Sequence, residues 1–205
     1  MDWAFVQMNV LIINGSYHKK GMTAELIESF KQGLLKAAPS AKITVIDLLE
    51  LDVKFCTGTS VCGKSDGKTL GQCVLKDAMF GELEAMLACD VLVMGSPIYW
   101  LSHTALMQRF LERCLPLLEY SSFGPKPRNP ARKGKQGVVI VTTGMPFPLN
   151  VLAGFTRHAV KMMGMACKFS GCAKISVIRA GGMERDAKSK ERFLKEAYQL
   201  GEKTA

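Results

Sequence analysis

The run Gly15-Ser16-Tyr17-His18-Lys19-Lys20-Gly21-Met22-Thr23 holds the residues with the clearest chemical potential. It follows a continuous apolar stretch, Val10 to Ile13, and leads into Thr23, Leu26, Ile27, Phe30 and Leu34 at helical spacing. Strand, polar loop and helix therefore meet within a few residues. Backbone N–H groups left free at a helix start carry partial positive charge, and Ser16 and Thr23 add hydroxyl donors, so the loop suits a phosphate. An ordinary βα turn in which Thr23 caps the helix uses the same residues. In this loop neither G-x-x-x-x-G-K-S/T nor G-x-G-x-x-G occurs, so a nucleoside triphosphate loop and a dinucleotide fingerprint are not indicated there, and a ligand ending in one phosphate is.

Two further stretches belong with this loop. Gly95-Ser96-Pro97-Ile98-Tyr99-Trp100 follows the apolar run Val91 to Met94, and its adjacent aromatics offer flat amphipathic surface to a flat ligand or to a neighbouring helix. Thr142-Thr143-Gly144-Met145-Pro146 follows Val138 to Val141 in the same way. No paired carboxylates and no Ser/His/Asp arrangement accompany them, so no catalytic side chain is assigned.

The elements that must position these loops alternate along the chain. Strands are predicted at Val10–Ile13, Ile43–Ile46, Val91–Met94 and Val138–Val141, with a fifth within Cys172–Ile178. Helices are predicted after Thr23, after Asp77 as an N-cap, after Trp100, from about Asn150 to Met163 and from about Arg185 to Gly201. A long irregular connection, Leu48 to Lys76, carries Cys56, Cys62 and Cys73. Successive βα units require right-handed crossovers and helices on both sheet faces. Five strands with ligand loops after the first and third fit the doubly wound order 2-1-3-4-5, with the site at the switch point between strands one and three.

With 205 residues, 48% of them hydrophobic, the chain suits one α/β domain, residues 1–205, with residues 1–7 as a short extension. Its start lacks the features of a secretory signal, and no stretch has the length of a membrane span. Seven cysteines, an odd count, point to a reducing compartment and a cytoplasmic location. The net charge of +9 leaves open nucleic acid, a membrane surface or a small anion as partner. Lys126, Arg128, Arg132, Lys133 and Lys135 crowd one Pro-rich connection with no aromatic platform beyond Phe123, which disfavours a nucleic-acid groove. No nucleic acid and no membrane are expected as partners.

The first loop resembles the G-S-x-R-x-x-G-N-T phosphate loop of the flavodoxin-like NAD(P)H-dependent FMN reductases, and Gly95–Trp100 resembles their second flavin loop. Ser102, Ala105, Leu106, Phe110, Glu112 and Arg113 are similar to the helix that follows it, and the likeness covers most of the chain. His18 stands where the family usually has Arg, and Met22 where it has Asn. The resemblance implies a flavodoxin-like three-layer sandwich that binds FMN. Ser16, His18, Met22 and Thr23 would hold the phosphate, Pro97, Ile98, Tyr99 and Trp100 would border the isoalloxazine, and Thr143, Gly144 and Met145 would close its other edge.

The implied activity passes electrons from NAD(P)H through FMN to a quinone, flavin or similar small-molecule acceptor, in alternating turnover. A flavodoxin-like electron carrier without NAD(P)H activity is the alternative. Related iron-sulfur flavoproteins carry four cysteines in the long connection; Thr59 stands where a fourth is expected, so free thiols are favoured over a cluster or zinc, and no metal is assigned. The family's habit implies a homodimer or homotetramer. The Cys-bearing loop and Lys126 to Lys135 are the candidates for cross-subunit contact or for the nicotinamide nucleotide's phosphates.

Overall fold

The computed structural model describes residues 7–66 and 69–205. Except for Gln7, the extension expected over residues 1–7 lies outside the described residues.

Strand β1, Asn9–Asn14, divides the interior into two cores. Side chains alternate across a strand. Val10 and Ile12 therefore face helices α1 (Met22–Ala37) and α7 (Ala187–Thr204), while Leu11 and Ile13 face α3 (Met79–Ala88), α4 (Ala105–Glu112) and α6 (Arg157–Phe169). All four are at most 2% exposed, which is why the strand reads as one unbroken apolar run. Strands β2 (Lys42–Asp47), β3 (Val91–Pro97), β6 (Arg132–Thr143) and β7 (Cys172–Gly181) complete a parallel sheet of order β2-β1-β3-β6-β7.

That order is the expected 2-1-3-4-5, because β4 (Leu118–Ser121) and β5 (Gly124–Pro127) form a separate antiparallel hairpin. The basic, Pro-rich composition of this connection reads as loop. Its two four-residue strands are short enough to carry Pro125 and Pro127 on an edge, and Gly124 turns between them at φ +104°. The single helix expected over Asn150–Met163 is two, α5 (Leu149–Leu152) and α6, broken where Gly154 takes φ +77°.

The long connection after β2 contains one helical turn, α2 (Val61–Lys64). Arginine forks hold the rest. Arg109 donates to the carbonyls of Leu48 and Leu51, Arg113 to that of Lys54, and Arg128 to those of Cys62 and Ser65. Asp77, expected as the N-cap of α3, sits one residue before the actual N-cap, Ala78, yet its Oδ1 still accepts the Met79 N–H at 3.1 Å.

Helices α1 and α7 touch backbone to backbone. A Cβ on Gly33 would lie 1.9 Å from the Tyr198 carbonyl oxygen, whereas one on Gly81, on the exposed side of α3, would meet nothing within 4 Å. We expect Gly33→Ala to lower stability by about 2 kcal/mol or more, and Gly81→Ala to raise it by about 0.5–1 kcal/mol. Urea unfolding of the two variants measures the contrast.

Candidate functional site

Three loops at the carboxyl edge of the sheet are tied to one another. Gly15 N–H donates to Gly95 O at 2.8 Å, fastening the loop after β1 to β3. Thr104 Oγ1 donates to Gly15 O at 2.6 Å and also accepts the Met107 N–H, so the residue that caps α4 pins the first loop. Ser96 Oγ accepts the Thr104 N–H at 3.1 Å. These hydroxyls are buried and act on the backbone, a positioning role that sequence reading does not reveal.

Within the first loop, Ser16 N–H donates to Asn14 Oδ1, and His18 N–H donates to Ser16 Oγ at 3.1 Å. Gly21 N–H turns back to His18 O. The loop thus rolls toward the start of α1, where Gly21 is the N-cap and no side chain caps the helix. Among the described backbone bonds, the N–H groups of Met22, Thr23 and Ala24 have no acceptor. Thr23 does not cap the helix as an ordinary βα turn would have it; its hydroxyl lies 2.8 Å from that of Thr142, at the floor between α1 and β6.

The second loop is set by Ile98 N–H donating to Thr142 O at 2.7 Å. Tyr99 and Ser102 then exchange backbone hydrogen bonds of 2.8 and 3.0 Å around Trp100 and Leu101, which both take left-handed φ, +48° and +63°. Two residues at positive φ make a type I′ turn, strained for side chains this large. The turn lifts Trp100 into solvent at 98% exposure and leaves Tyr99 stacked on Tyr17, with ring centroids 6.2 Å apart and planes at 7°. Behind it, His103 Nδ1 lies 2.8 Å from Ser102 Oγ, and burial, with the nearby His158 adding, lowers the affinity of its imidazole for a proton.

One cleft gathers Ser16, His18, Met22, Thr23, Pro97, Ile98, Tyr99, Thr143 and Gly144. Trp100 and Met145 lie apart from it, in an adjoining apolar cleft with Leu101 and Phe155 that shares Ile98 and Thr143. The first cleft also takes Gly21, Thr142, Met183 and Glu184. Met183 and Glu184 follow β7, so the rule that picked the loops after the first, third and fourth strands, applied to the fifth, would have found them.

A family model described as the flavodoxin-like fold matches residues 8–203. The chain belongs to this flavodoxin-like family. It is 28% identical over 200 residues to an iron-sulfur flavoprotein of Archaeoglobus fulgidus, spanning 97% of this chain and 79% of that protein. An FMN-dependent NADH:quinone oxidoreductase of Methylorubrum extorquens is 23% identical over 190 residues, 91% of this chain and 94% of that one. The structure of an FMN-dependent NADH-azoreductase from Bacillus anthracis in complex with FMN superposes with a TM-score of 0.76 at 15% identity, covering 97% and 100% of the two chains. In this flavodoxin-like chain the cleft lies where the order reverses between β1 and β3, at the switch point.

The other features singled out in the sequence are placed elsewhere. Cys56, Cys62 and Cys73 are free thiols, burial pushes the Cys62 thiol up, and the Cys73 sulfur accepts from Arg113 Nη2 at 3.8 Å. Among the described residues no group of three or more His, Cys, Asp or Glu is arranged to hold a metal ion. Arg132 pairs with Asp90, and with Lys133 it opens β6 ten positions before Thr142. At about 3.3 Å per residue, that is some 30 Å from the cleft. Within one chain, Arg132 and Lys133 therefore lie at the opposite end of β6 from the cleft. No helix among the described residues is long and apolar enough to cross a membrane.

Proposed function

We propose that this chain is an FMN-dependent oxidoreductase, taking electrons from NAD(P)H and delivering them to a quinone, a flavin or a similar flat acceptor. The observation that carries this reading is the convergence of the phosphate-type loop, the Pro97–Tyr99 wall and the Thr142–Gly144 edge on one cleft. The relatives named as FMN-dependent NADH:quinone oxidoreductases support it. The cleft suits FMN on its own chemistry. The uncapped start of α1 offers unpaired N–H donors to a phosphate, Ser16 and His18 flank them, and no carboxylate lies between Gly15 and Thr23. Glu184, the cleft's single acid, suits hydroxyl groups such as those of a ribityl chain.

In this reading Ser16, His18, Met22 and Thr23 hold the phosphate, while Pro97, Ile98 and Tyr99 set the plane of the ring. Thr143 and Gly144 close the opposite edge. The cofactor supplies hydride transfer when bound, so the protein's task is binding, orientation and exclusion of water. Trp100 and Met145, in the adjoining apolar cleft, border the place where donor and acceptor enter in turn. We take the working form to be a homodimer or homotetramer in the cytoplasm. Initial rates with NADH or NADPH against a benzoquinone test the scheme. Parallel double-reciprocal lines are expected from alternating turnover; intersecting lines, with product release only when both substrates are bound, would exclude it.

A further inference from the structure

Helix α7 begins beside the cleft and is fastened to its rim. Ser189 Oγ donates at 2.9 Å to the carbonyl of Gly181, where β7 ends, and Lys190 pairs with Glu25 in the first turn of α1 at 2.7 Å. The third loop lies against the same turn. Gly182 N–H donates to Thr143 O at 3.1 Å, and a Cβ on Gly181 would stand 2.4 Å from Met145 O and 3.0 Å from Phe147 N. Phe147, two residues beyond Met145, then crosses to α7 and meets Phe193 edge to face, with ring centroids 5.7 Å apart and planes at 77°. Phe193 is buried, while Phe147 is 38% exposed and leaves part of its ring open.

Arg192 lies over that ring. Its guanidinium carbon is 4.4 Å from the centre of the Phe147 ring and 5.2 Å from that of Phe193. Helical spacing sets Glu196 one turn further along, the carboxylate with which an exposed arginine ordinarily pairs. That pair is not made. Among the described residues the Arg192 fork touches the two rings and has neither an ion-pair nor a hydrogen-bond partner, so its N–H donors are unused. The acids just before it are committed elsewhere: Glu184 lines the first cleft, and Asp186 accepts the Lys188 and Ser189 N–H groups as the cap of α7. An arginine fixed by aromatic faces and left without an anion is suited to receive one.

The place of this cation says which anion. Met145 lines the adjoining apolar cleft with Trp100, Leu101 and Phe155, and two Cα steps put Phe147 no more than about 8 Å from Met145. A nicotinamide nucleotide that brings its redox ring to that cleft lays its adenosine end outside, across the rim. NADPH and NADH differ only there, by one phosphate on the 2′ oxygen of the adenosine ribose. We propose that Arg192, held over Phe147, receives that 2′-phosphate and makes this chain prefer NADPH to NADH, an inference that rests on the flavin reading above. The fork donates two parallel N–H bonds to phosphate oxygens, and the rings beneath it reduce the side-chain freedom lost on binding. This preference sets the chain apart from the relatives named for NADH.

Two measurements on the FMN-loaded full chain test it. In the first, kcat/KM is compared for NADPH and NADH with a benzoquinone as acceptor. The natural chain should favour NADPH, and Arg192→Gln should lower the NADPH-to-NADH ratio about 10- to 100-fold, chiefly through the KM for NADPH. Arg192→Lys, which keeps the charge without the fork, should lower it about threefold. Lys203→Gln removes an equal charge from the last turn of α7 and should leave the ratio within about twofold. An arginine that merely pins the third loop would affect both donors alike. In the second, calorimetry compares 2′,5′-ADP with 5′-AMP; the first should bind about tenfold more tightly or better, and Arg192→Gln should erase the difference. A natural chain that favours NADH, a ratio unmoved by Arg192→Gln, or 2′,5′-ADP bound no better than 5′-AMP would overturn the proposal. If neither donor is oxidised, the flavin reading fails, and the calorimetry still decides the role of Arg192.

Discussion

Replacing Arg113 with methionine is expected to lower folding stability by about 3–5 kcal/mol, the cost of leaving one half of a buried ion pair without its partner. The Arg113 and Asp77 side chains are 3% and 5% exposed, and the fork donates to both carboxylate oxygens, at 2.6 and 3.0 Å. Asp77 also accepts the N–H groups of Lys54 and Met79, and Arg113 caps the Lys54 carbonyl. The pair therefore joins the end of α4 to both sides of the long connection, and its loss frees a segment with little secondary structure of its own.

The same pair sets an acid limit. Hydrogen bonding to Arg113, ahead of opposing burial, holds the Asp77 carboxyl down at about 2, against 3.8 for the free side chain. A carboxyl depressed in the folded state stabilises above its unfolded value and loses that contribution as pH falls through the folded one. The window is therefore pH 4 down to pH 2, and about 2 kcal/mol is at stake. Urea midpoints at pH 7, 4 and 2.5 should fall more steeply in the natural chain than in Asp77→Asn, which is less stable at pH 7 but has no proton to gain. Equal slopes would mean that Asp77 is not held by Arg113.

The second large effect falls on the cleft. His18 is exposed, and among the described residues its imidazole has no hydrogen-bond partner, so changing it should leave folding intact. It lines the cleft beside the free N–H groups of α1. His18→Glu places a negative charge against the phosphate and removes a donor, and should weaken FMN binding about 100-fold at low salt. His18→Arg restores the residue the resemblance leads one to expect, adding a forked cation, and should tighten binding about tenfold. Titration of FMN fluorescence gives both numbers. Equal affinities in all three proteins would place the phosphate elsewhere.

How much of this was legible in the sequence depends on the range of the interaction. Val10–Ile13 and Val138–Val141 announced buried parallel strands because a strand covered on both faces has no polar alternation to hide it. The loops after them were legible through Gly, Ser, Thr and Pro, whose backbone preferences are local. The hairpin of β4 and β5 was not, because both strands are only four residues long, β5 carries Lys126 between two prolines, and the two are recognised only by pairing with each other. Nor was the break at Gly154, since a single glycine inside a helical pattern is often tolerated.

Long-range partners account for the remainder. Arg113 appeared as one residue of a helix pattern, and nothing local says that it closes on Asp77, 36 positions earlier. Gly33 and Gly201 gave no sign that α1 and α7 meet backbone to backbone. In the cleft, Thr142 read as the start of a loop; its partner Thr23 lies 119 residues away. Lys135 looked like one more solvated cation in a basic run, and the bulge that accompanies its burial depends on the register between β6 and β7.

The most direct test of the flavin reading is the absorption spectrum of the natively purified protein, followed by identification of the small molecule that heat releases. A two-banded yellow spectrum, with released FMN near one equivalent per chain, is the predicted result. A colourless protein that takes up no FMN on reconstitution would contradict it, and would mean that His18 and Met22 have cost this cleft the cofactor its architecture suits.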